Sequence, residues 1–257
     1  MVHAKKLKEE WLMYWRFLCL VMFIVFVVAT SSWAGAQEGL IGYWNMNAGS
    51  GDKVADASGN GHDGTAKNAK WVDGKIGKAL EFNGADSIVD IPYFPEITPK
   101  EGATLAAWVF PTDKTRSCIV GQFEGYGVAL FTDLQLKSVI WGDDWVITTT
   151  IPQNEWSHVA MTWDVKNSER MIFLNGKTVE KKGGAQPVPQ VQNDLGIGLW
   201  IGWPAGWGDD SFMGIIDEVK MWNRVLGEDE INQASMSAPV EPQGKLATVW
   251  GNVKAGN

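Results

Sequence analysis

The sequence predicts an all-β protein built as an antiparallel two-sheet sandwich, and three features carry that prediction. From Leu40 onward the apolar runs are short and rich in Val, Ile, Phe and Trp, the residues that fit a pleated, half-buried surface. Gly, Asn, Asp and Pro interrupt these runs at intervals that leave no room for long helices. Asn175-Gly176 favours positive φ at both central positions of a tight turn, which predicts a hairpin of Met171 to Glu180.

Taken in order, residues 1–36 read as a secretory leader. Lys5, Lys6 and Lys8 precede the apolar run Phe17 to Ala29, and the small residues Ala34-Gly35-Ala36 follow it. An uncleaved anchor is the weaker reading, because the run is short for a membrane span. Cys19 lacks the small residues that a lipoprotein cleavage site wants before it. Residues 37–236 then form one domain, large enough to bury a core without disulfides. Strands are expected near Leu40–Met46, Ala79–Phe82, Ile88–Ile91, Thr104–Phe110, Ser117–Gln122 and Val128–Thr132. More are expected near Ser138–Trp141, Val146–Thr149, Ser157–Asp164, Arg170–Leu174, Lys177–Lys181, Leu199–Ile201 and Gly214–Trp222. One short amphipathic helix is expected at Leu226–Ala234, opened by Gly227, Glu228 and Asp229 and turning Leu226, Ile231 and Ala234 inward. Residues 237–257 read as a linker containing Pro239 and Pro242, then a tail carrying Leu246, Val249, Trp250 and Val253. The tail is either frayed or a docking segment.

The chain is acidic, with a formal charge of −8. Loss of the leader removes four basic and two acidic residues and takes the charge to −10, which excludes nucleic acid as a natural partner. Cys118 alone would remain, so an internal disulfide is excluded. With only His62, His158 and Cys118 as soft ligands, zinc is disfavoured too.

Six segments stand in a specific order: YWNMNAGSGDKVADASGNGHDG from Tyr43, GKIGKALEFNG from Gly74, TLAAWVFP, NEWSHVAMTWD, IFLNGK and GIIDEVKMWNRVLGEDEI. This order resembles the LamG-like jelly-roll domains of the concanavalin A-like lectin/glucanase superfamily, and the resemblance covers nearly all of Leu40 to Ser235. It implies two antiparallel sheets packed face to face as a jelly roll. It also implies one of several functions: calcium-dependent glycan binding, protein adhesion or, in some branches, glycoside hydrolysis. Similar domains usually carry an acidic FDEGSG where this chain has Met46-Asn47-Ala48-Gly49-Ser50-Gly51, so a ligand role there is reduced to Asn47 or backbone carbonyls.

The stretch Phe212 to Trp222 poses a physical problem. With strict alternation, Ile215, Val219 and Met221 share one face, and Asp217 falls among them. A carboxylate there needs hydrogen bonds, an ion pair or a metal. The loop Asp56 to Gly64 is the expected partner. Read as calcium chemistry, Asp56, Asn60 and Asp63 supply oxygens and Asp217 closes the shell. Read structurally, the same loop residues make turns for local reasons.

The chain holds 15 tryptophans, far above ordinary usage. Trp141-Gly142-Asp143-Asp144 and Trp207-Gly208-Asp209-Asp210 repeat one phrase. An indole face beside carboxylates can stack on a sugar ring while the acids accept hydroxyl protons. Trp145, Trp203 and Trp207, with Asp143, Asp144, Asp209 and Asp210, are therefore the candidate ligand-binding residues. Trp141 and Trp200 serve equally well as caps on the ends of the core. Trp44, Trp108, Trp163 and Trp222 read as core or sheet-face residues, and Trp156 and His158 as structural, with His158 half-buried and hydrogen-bonded.

The strand pattern E-x-D-x-x-E of laminarinase-like glycosidases does not occur, and neither does a hydrolase elbow, zinc-protease helix or phosphate loop. The expected function is a non-catalytic binding module for a glycan or glycosylated surface, with calcium as its cofactor, secreted or held at the cell envelope. The alternative is an adhesion or envelope-structural domain that binds an extracellular protein without sugar; a glycoside hydrolase ranks below both.

Overall fold

The computed structural model describes residues 14–15, 36–98, 100–114, 116–122, 125–140, 142–185, 198–202 and 211–236. The chain divides into two units, 1–38 and 39–257, and every element named below belongs to the second. Nearly all of the expected leader and the whole of the linker and tail lie outside the described residues. Among the described residues no helix is long and apolar enough to cross a membrane.

Sixteen strands are described: β1 (Leu40–Trp44), β2 (Lys53–Val54), β3 (Gly64–Lys67), β4 (Lys70–Asp73), β5 (Lys78–Asn83), β6 (Ile88–Ile91), β7 (Gly102–Pro111) and β8 (Ser117–Gly121), then β9 (Tyr126–Leu130), β10 (Gln135–Ile140), β11 (Trp145–Thr150), β12 (Ser157–Asp164), β13 (Glu169–Leu174), β14 (Lys177–Gly183), β15 (Leu199–Ile201) and β16 (Met213–Trp222). One helix, α1 (Glu228–Met236), follows. The first sheet runs β14-β13-β12-β7-β16-β5-β4, with β1 also paired to β16. The second runs β11-β10-β9-β8-β15-β6-β3-β2. All described pairings are antiparallel, and the two sheets sandwich one large apolar core, as the sequence predicts. The hairpin at Asn175-Gly176 is present, with φ of 51° and 81° at the two turn residues.

Strands β2, β3 and β4 are absent from the sequence expectation. Each is short, and each takes its place by pairing with a neighbour rather than by a hydrophobic run of its own.

Strict alternation fails in β16. Register against β7 shifts between Asp217 and Lys220, and Glu218 adopts a φ of 55°, the signature of a bulge that inserts an extra residue. Ile216 therefore faces the core before the bulge, and Val219 and Met221 face it afterwards. Asp217 does not lie among these side chains. It points to the opposite, outer face of the first sheet, where the turn 74–77 covers it.

Part of that outer face is covered by α1. Leu226, Ile231 and Ala234 pack on Ala106, Ala160, Phe173 and Trp222, so the inward set expected from sequence is the one observed. Polar bonds fix the helix at both ends. Thr104 Oγ1 donates to Arg224 O (2.8 Å) and accepts from Leu226 N (3.0 Å), while Glu230 accepts from Gly227 N and pairs with Arg224. At the far end Lys220 Nζ donates to Ala234 O (2.8 Å) and Trp108 Nε1 to Ser235 O (3.1 Å). A cation at the carbonyl end of a helix is favourable for the backbone dipoles. Ile231→Ala should destabilise the domain by about 3 kcal/mol, read as a lower urea midpoint with the denaturant slope unchanged.

Candidate functional site

Four carboxylate or amide side chains were expected to share a calcium ion, and their surroundings test that fit. Asp56 Oδ1 accepts from Tyr43 N and Ser58 N, each at 2.9 Å, and Oδ2 accepts from His62 N at 3.0 Å. Asp63 Oδ1 accepts from Asp56 N, and Oδ2 pairs with Lys53 at 2.7 Å. Asn60 Nδ2 donates to the carbonyls of Leu40 and Ile41. These bonds make 56–63 a turn pinned to β1, as the local reading expects. Asp217 is held elsewhere: its Oδ2 accepts from Ile76 N at 3.0 Å and its Oδ1 from Glu218 N at 2.8 Å. Gly74 permits this approach, since a Cβ there would lie 2.7 Å from Asp217 Oδ2. Among the described residues no three carboxylate, imidazole or thiol groups stand together, and Asp217 is bound at Ile76 and Glu218 while Asp56 and Asp63 are bound within the 56–63 turn, so these three do not share one ion. Asn47, the remaining candidate before the loop, accepts from Lys78 N at 2.8 Å.

The bulge places a charged cluster between β1, β16 and α1. Tyr43 Oη donates to Glu218 Oε2 at 2.6 Å, and Lys220 Nζ lies 3.3 Å from the same oxygen and 4.6 Å from the Tyr43 ring centre. Burial pushes the Asp217 carboxyl up to about 7, against the pull of its amide donors, and raises Glu218 as well. His158 is fully buried, not half-buried, and its Nδ1 has no partner. Burial, with the Lys220 charge nearby, drives its imidazole down to about 3.

The first Trp-Gly-Asp-Asp phrase is structural where it is described. Asp143 Oδ2 receives Arg170 Nη2 at 2.6 Å, Asp143 O receives Nη1 at 2.8 Å, and Lys182 pairs with Oδ1 at 3.1 Å. Arg170 has no exposed side-chain surface and starts from β13, so this group ties the two sheets together across the core. Asp144 pairs with Lys137 at 2.7 Å. Trp145 is buried at 9 % exposure, with the Arg170 guanidinium 5.8 Å from its ring. An indole expected at the surface thus packs inside, because β11 turns its alternate residues Trp145 and Ile147 to the core. Trp141, Trp203, Trp207, Asp209 and Asp210 lie outside the described residues.

The outer face of the second sheet carries a different arrangement. Antiparallel register aligns Lys53, Thr65, Asp90, Trp200, Gly121, Gly127 and Val139 in one row across seven strands. Their chain neighbours Val54, Val89, Ile91, Leu199, Ile201, Val120 and Ile140 face the core, so the row faces outward. Gly121 and Gly127 raise no side chain beside the indole. Sheet geometry requires this at Gly121, where a Cβ would lie 2.7 Å from Tyr126 O and 2.9 Å from Gly127 Cα. Gly121, Gly127 and Val139 are buried, whereas Trp200 and Asp90 are half-exposed and Thr65, Lys53 and Lys67 exposed. Solvent therefore reaches the row over its half from Lys53 to Trp200.

There Trp200 Nε1 donates to Asp90 Oδ1 at 3.1 Å, and Lys67 Nζ pairs with Asp90 Oδ2 at 2.9 Å. An indole, a carboxylate and an ammonium thus form one bonded surface group on a rigid sheet. Sequence reasoning left Trp200 undecided and missed Asp90 and Lys67. The available signal was alternation: Val89 and Ile91 mark Asp90, and Leu199 and Ile201 mark Trp200, as outward.

These features define an antiparallel jelly-roll sandwich with a half-exposed aromatic group on one sheet. The chain belongs to the concanavalin A-like lectin/glucanases superfamily, whose Laminin_G_3 model matches residues 83–232. Over 89 residues it is 33 % identical to the C-reactive protein of Xenopus laevis, covering 31 % of this chain and 34 % of that protein; the chain thus spans about a third of the curated relative it matches. Among solved structures it resembles domain 4 of AbnA, a GH43 extracellular arabinanase from Geobacillus stearothermophilus, in complex with arabinotriose, with a TM-score of 0.61, 21 % identity and coverage of 77 % of this chain and 98 % of that one. The binding domain of Paraclostridial Mosquitocidal Protein 1 gives a TM-score of 0.60 at 17 % identity, covering 77 % and 52 %. Trypanosoma rangeli sialidase gives 0.55 at 18 %, covering 83 % and 38 %. At these identities the structural likeness shows the fold alone.

The buried titratable groups predict opposing pH effects. Between pH 3.8 and about 7, folded Asp217 holds a proton that the unfolded chain releases, so its contribution falls as pH rises. Between about 3 and 6.5 the unfolded chain binds a proton at His158 that the folded one refuses, so that contribution rises with pH. Urea titrations between pH 4.5 and 6.5 should show stability rising with pH in Asp217→Asn and falling in His158→Gln, with the unaltered protein between them. A second expectation concerns Asp143. Its replacement by Ala should lower stability by about 2 kcal/mol, less than for a fully buried pair because Asp143 is partly solvated, while a residue kept only for ligand contact would leave the urea midpoint in place.

Proposed function

We propose that this protein is a non-catalytic glycan-binding module, with the Trp200, Asp90 and Lys67 group on the second sheet as its contact surface. The observation that carries the reading is the half-exposed indole of a central strand, fixed through its N–H to a carboxylate that is itself held by a lysine. A rigid ring positioned this way can stack on the C–H face of a sugar while neighbouring polar groups bond its hydroxyls. The fold is compatible with such a role, since one similar domain is in complex with arabinotriose. Hydrolysis would need two accessible carboxyl groups at a set separation. The two described carboxyls with raised affinity for protons, Asp217 and Glu218, are 0 % and 1 % exposed beneath the turn 74–77 and α1, which favours binding over catalysis.

In this reading the contact needs no calcium: the Asp56 and Asp63 oxygens accept from main-chain N–H groups and from Lys53 within the 56–63 turn, and Asp217 is held apart from them at the turn 74–77. Secretion fits the proposed ligand, since glycans are displayed outside cells, and it rests on the leader-like composition of residues 1–36.

On a glycan array, the protein should give signal that Trp200→Ala reduces at least tenfold and that EDTA leaves in place. The melting temperature of the variant should stay close to that of the parent. Full binding by the variant would remove this surface from the reading, and an array with no signal would favour a protein-adhesion role.

A further inference from the structure

The chemistry of the same surface group narrows the ligand. We infer that the contact selects neutral, hydroxyl-rich glycans over those bearing carboxylate or sulfate; this inference rests on the glycan-binding reading above. Asp90 is an acceptor on both oxygens, and each oxygen already takes one donor, Trp200 Nε1 at Oδ1 and Lys67 Nζ at Oδ2. An ionised carboxylate offers about four lone-pair sites, so each oxygen retains one. The Lys67 ammonium has three N–H groups, one of them given to Asp90. What the pair presents to a ligand is therefore two acceptors beside further donors, with no net charge.

A pair of neighbouring hydroxyls matches that set, because each hydroxyl both donates and accepts. One can donate to Asp90 while the other accepts from Lys67, and the ring they belong to is then placed to cover the indole. A sugar carboxylate or sulfate only accepts. It could meet Lys67, but it would set its charge against the spare lone pairs of Asp90, a like-charge contact that weakens binding. Competition for Lys67 would also cost the 2.9 Å pair that holds Asp90 in place. The wider field acts in the same direction. The chain carries −8 overall. A net negative charge repels polyanions and leaves a neutral polymer untouched.

Salt and charge separate this inference from the reading beneath it. Isothermal titration of the full chain would use arabinan, galactan and mannan as neutral probes and polygalacturonate and chondroitin sulfate as acidic ones, at 50 and 500 mM NaCl. The expected result is binding to at least one neutral polymer, with less than a threefold change between the two salts, lost at least tenfold in both Trp200→Ala and Asp90→Asn. Conservative replacement at Asp90 keeps an acceptor for Trp200 but removes the charge that orders Lys67, so it reads recognition rather than folding; circular dichroism confirms that each variant is folded. Binding that depends on Trp200 but is confined to the acidic polymers and falls tenfold or more at high salt would overturn the inference and leave the glycan-binding reading standing. Absence of binding to either set, or binding indifferent to Trp200, would overturn both.

Discussion

The fold depends on how β16 carries three charged residues through the middle of a sheet. Asp217, Glu218 and Lys220 are all buried, in a strand hydrogen-bonded to β7 and β5 and also to β1. A regular strand would send one of every two side chains into the apolar core. The bulge at Glu218 prevents this: it costs a residue in the left-handed region and changes which side chains point inward. The core receives Ile216, Val219 and Met221, and all three charges go to the outer face. Their satisfaction there requires the rest of the chain. Asp217 needs the Ile76 amide, Glu218 needs Tyr43 from β1, and Lys220 needs the last carbonyls of α1. The turn 74–77, the first strand and the helix are thus held in place by one strand's burden of charge.

A second polar tie acts across the core. Arg170 enters the sandwich from β13 and meets Asp143 in the connection between β10 and β11. The buried guanidinium is pulled below its usual range by desolvation, and the charges of Asp143 and Asp144 act against that. Such a pair adds little to stability compared with a well-packed apolar substitute, but losing one member leaves a buried charge unmatched. Its evident effect is registration, since it sets where the β10–β11 connection sits relative to the other sheet.

The two ties explain which parts of the protein were legible in the sequence. Strand positions were readable from alternation and from turn residues at their ends, because those signals are local. The three short strands β2 to β4 were not, since two to four residues of mixed polarity carry no period. The need of Asp217 for a partner was also readable, as a matter of desolvation. Its identity was not: a glycine-broken acidic loop looked suited to an ion, whereas the structure uses a main-chain amide from a turn with no acidic residue in reach of that role. Acidic residues next to tryptophan in the first Trp-Gly-Asp-Asp phrase looked like sugar ligands for the same reason. The sequence shows the charge, while the cation that takes it sits 27 residues away in Arg170.

The first sheet spends its outer face on internal tasks: α1 covers one part of it, and the charged cluster and the turn 74–77 occupy another. In the proposed reading, binding then falls to the second sheet. Its outward row bears the Trp200 indole and the Asp90 carboxylate, the latter paired with Lys67 from beside the row, and glycine backbone further along. Because Trp200 and Asp90 are direct partners across two paired strands, their spacing is set by the sheet and not by a loop. A surface group so fixed would lose little freedom on meeting the proposed ligand, which favours affinity. The same logic suits the proposed contact: core residues on either side fix the orientation of Asp90 (Val89, Ile91) and Trp200 (Leu199, Ile201), and the pair with Asp90 positions Lys67.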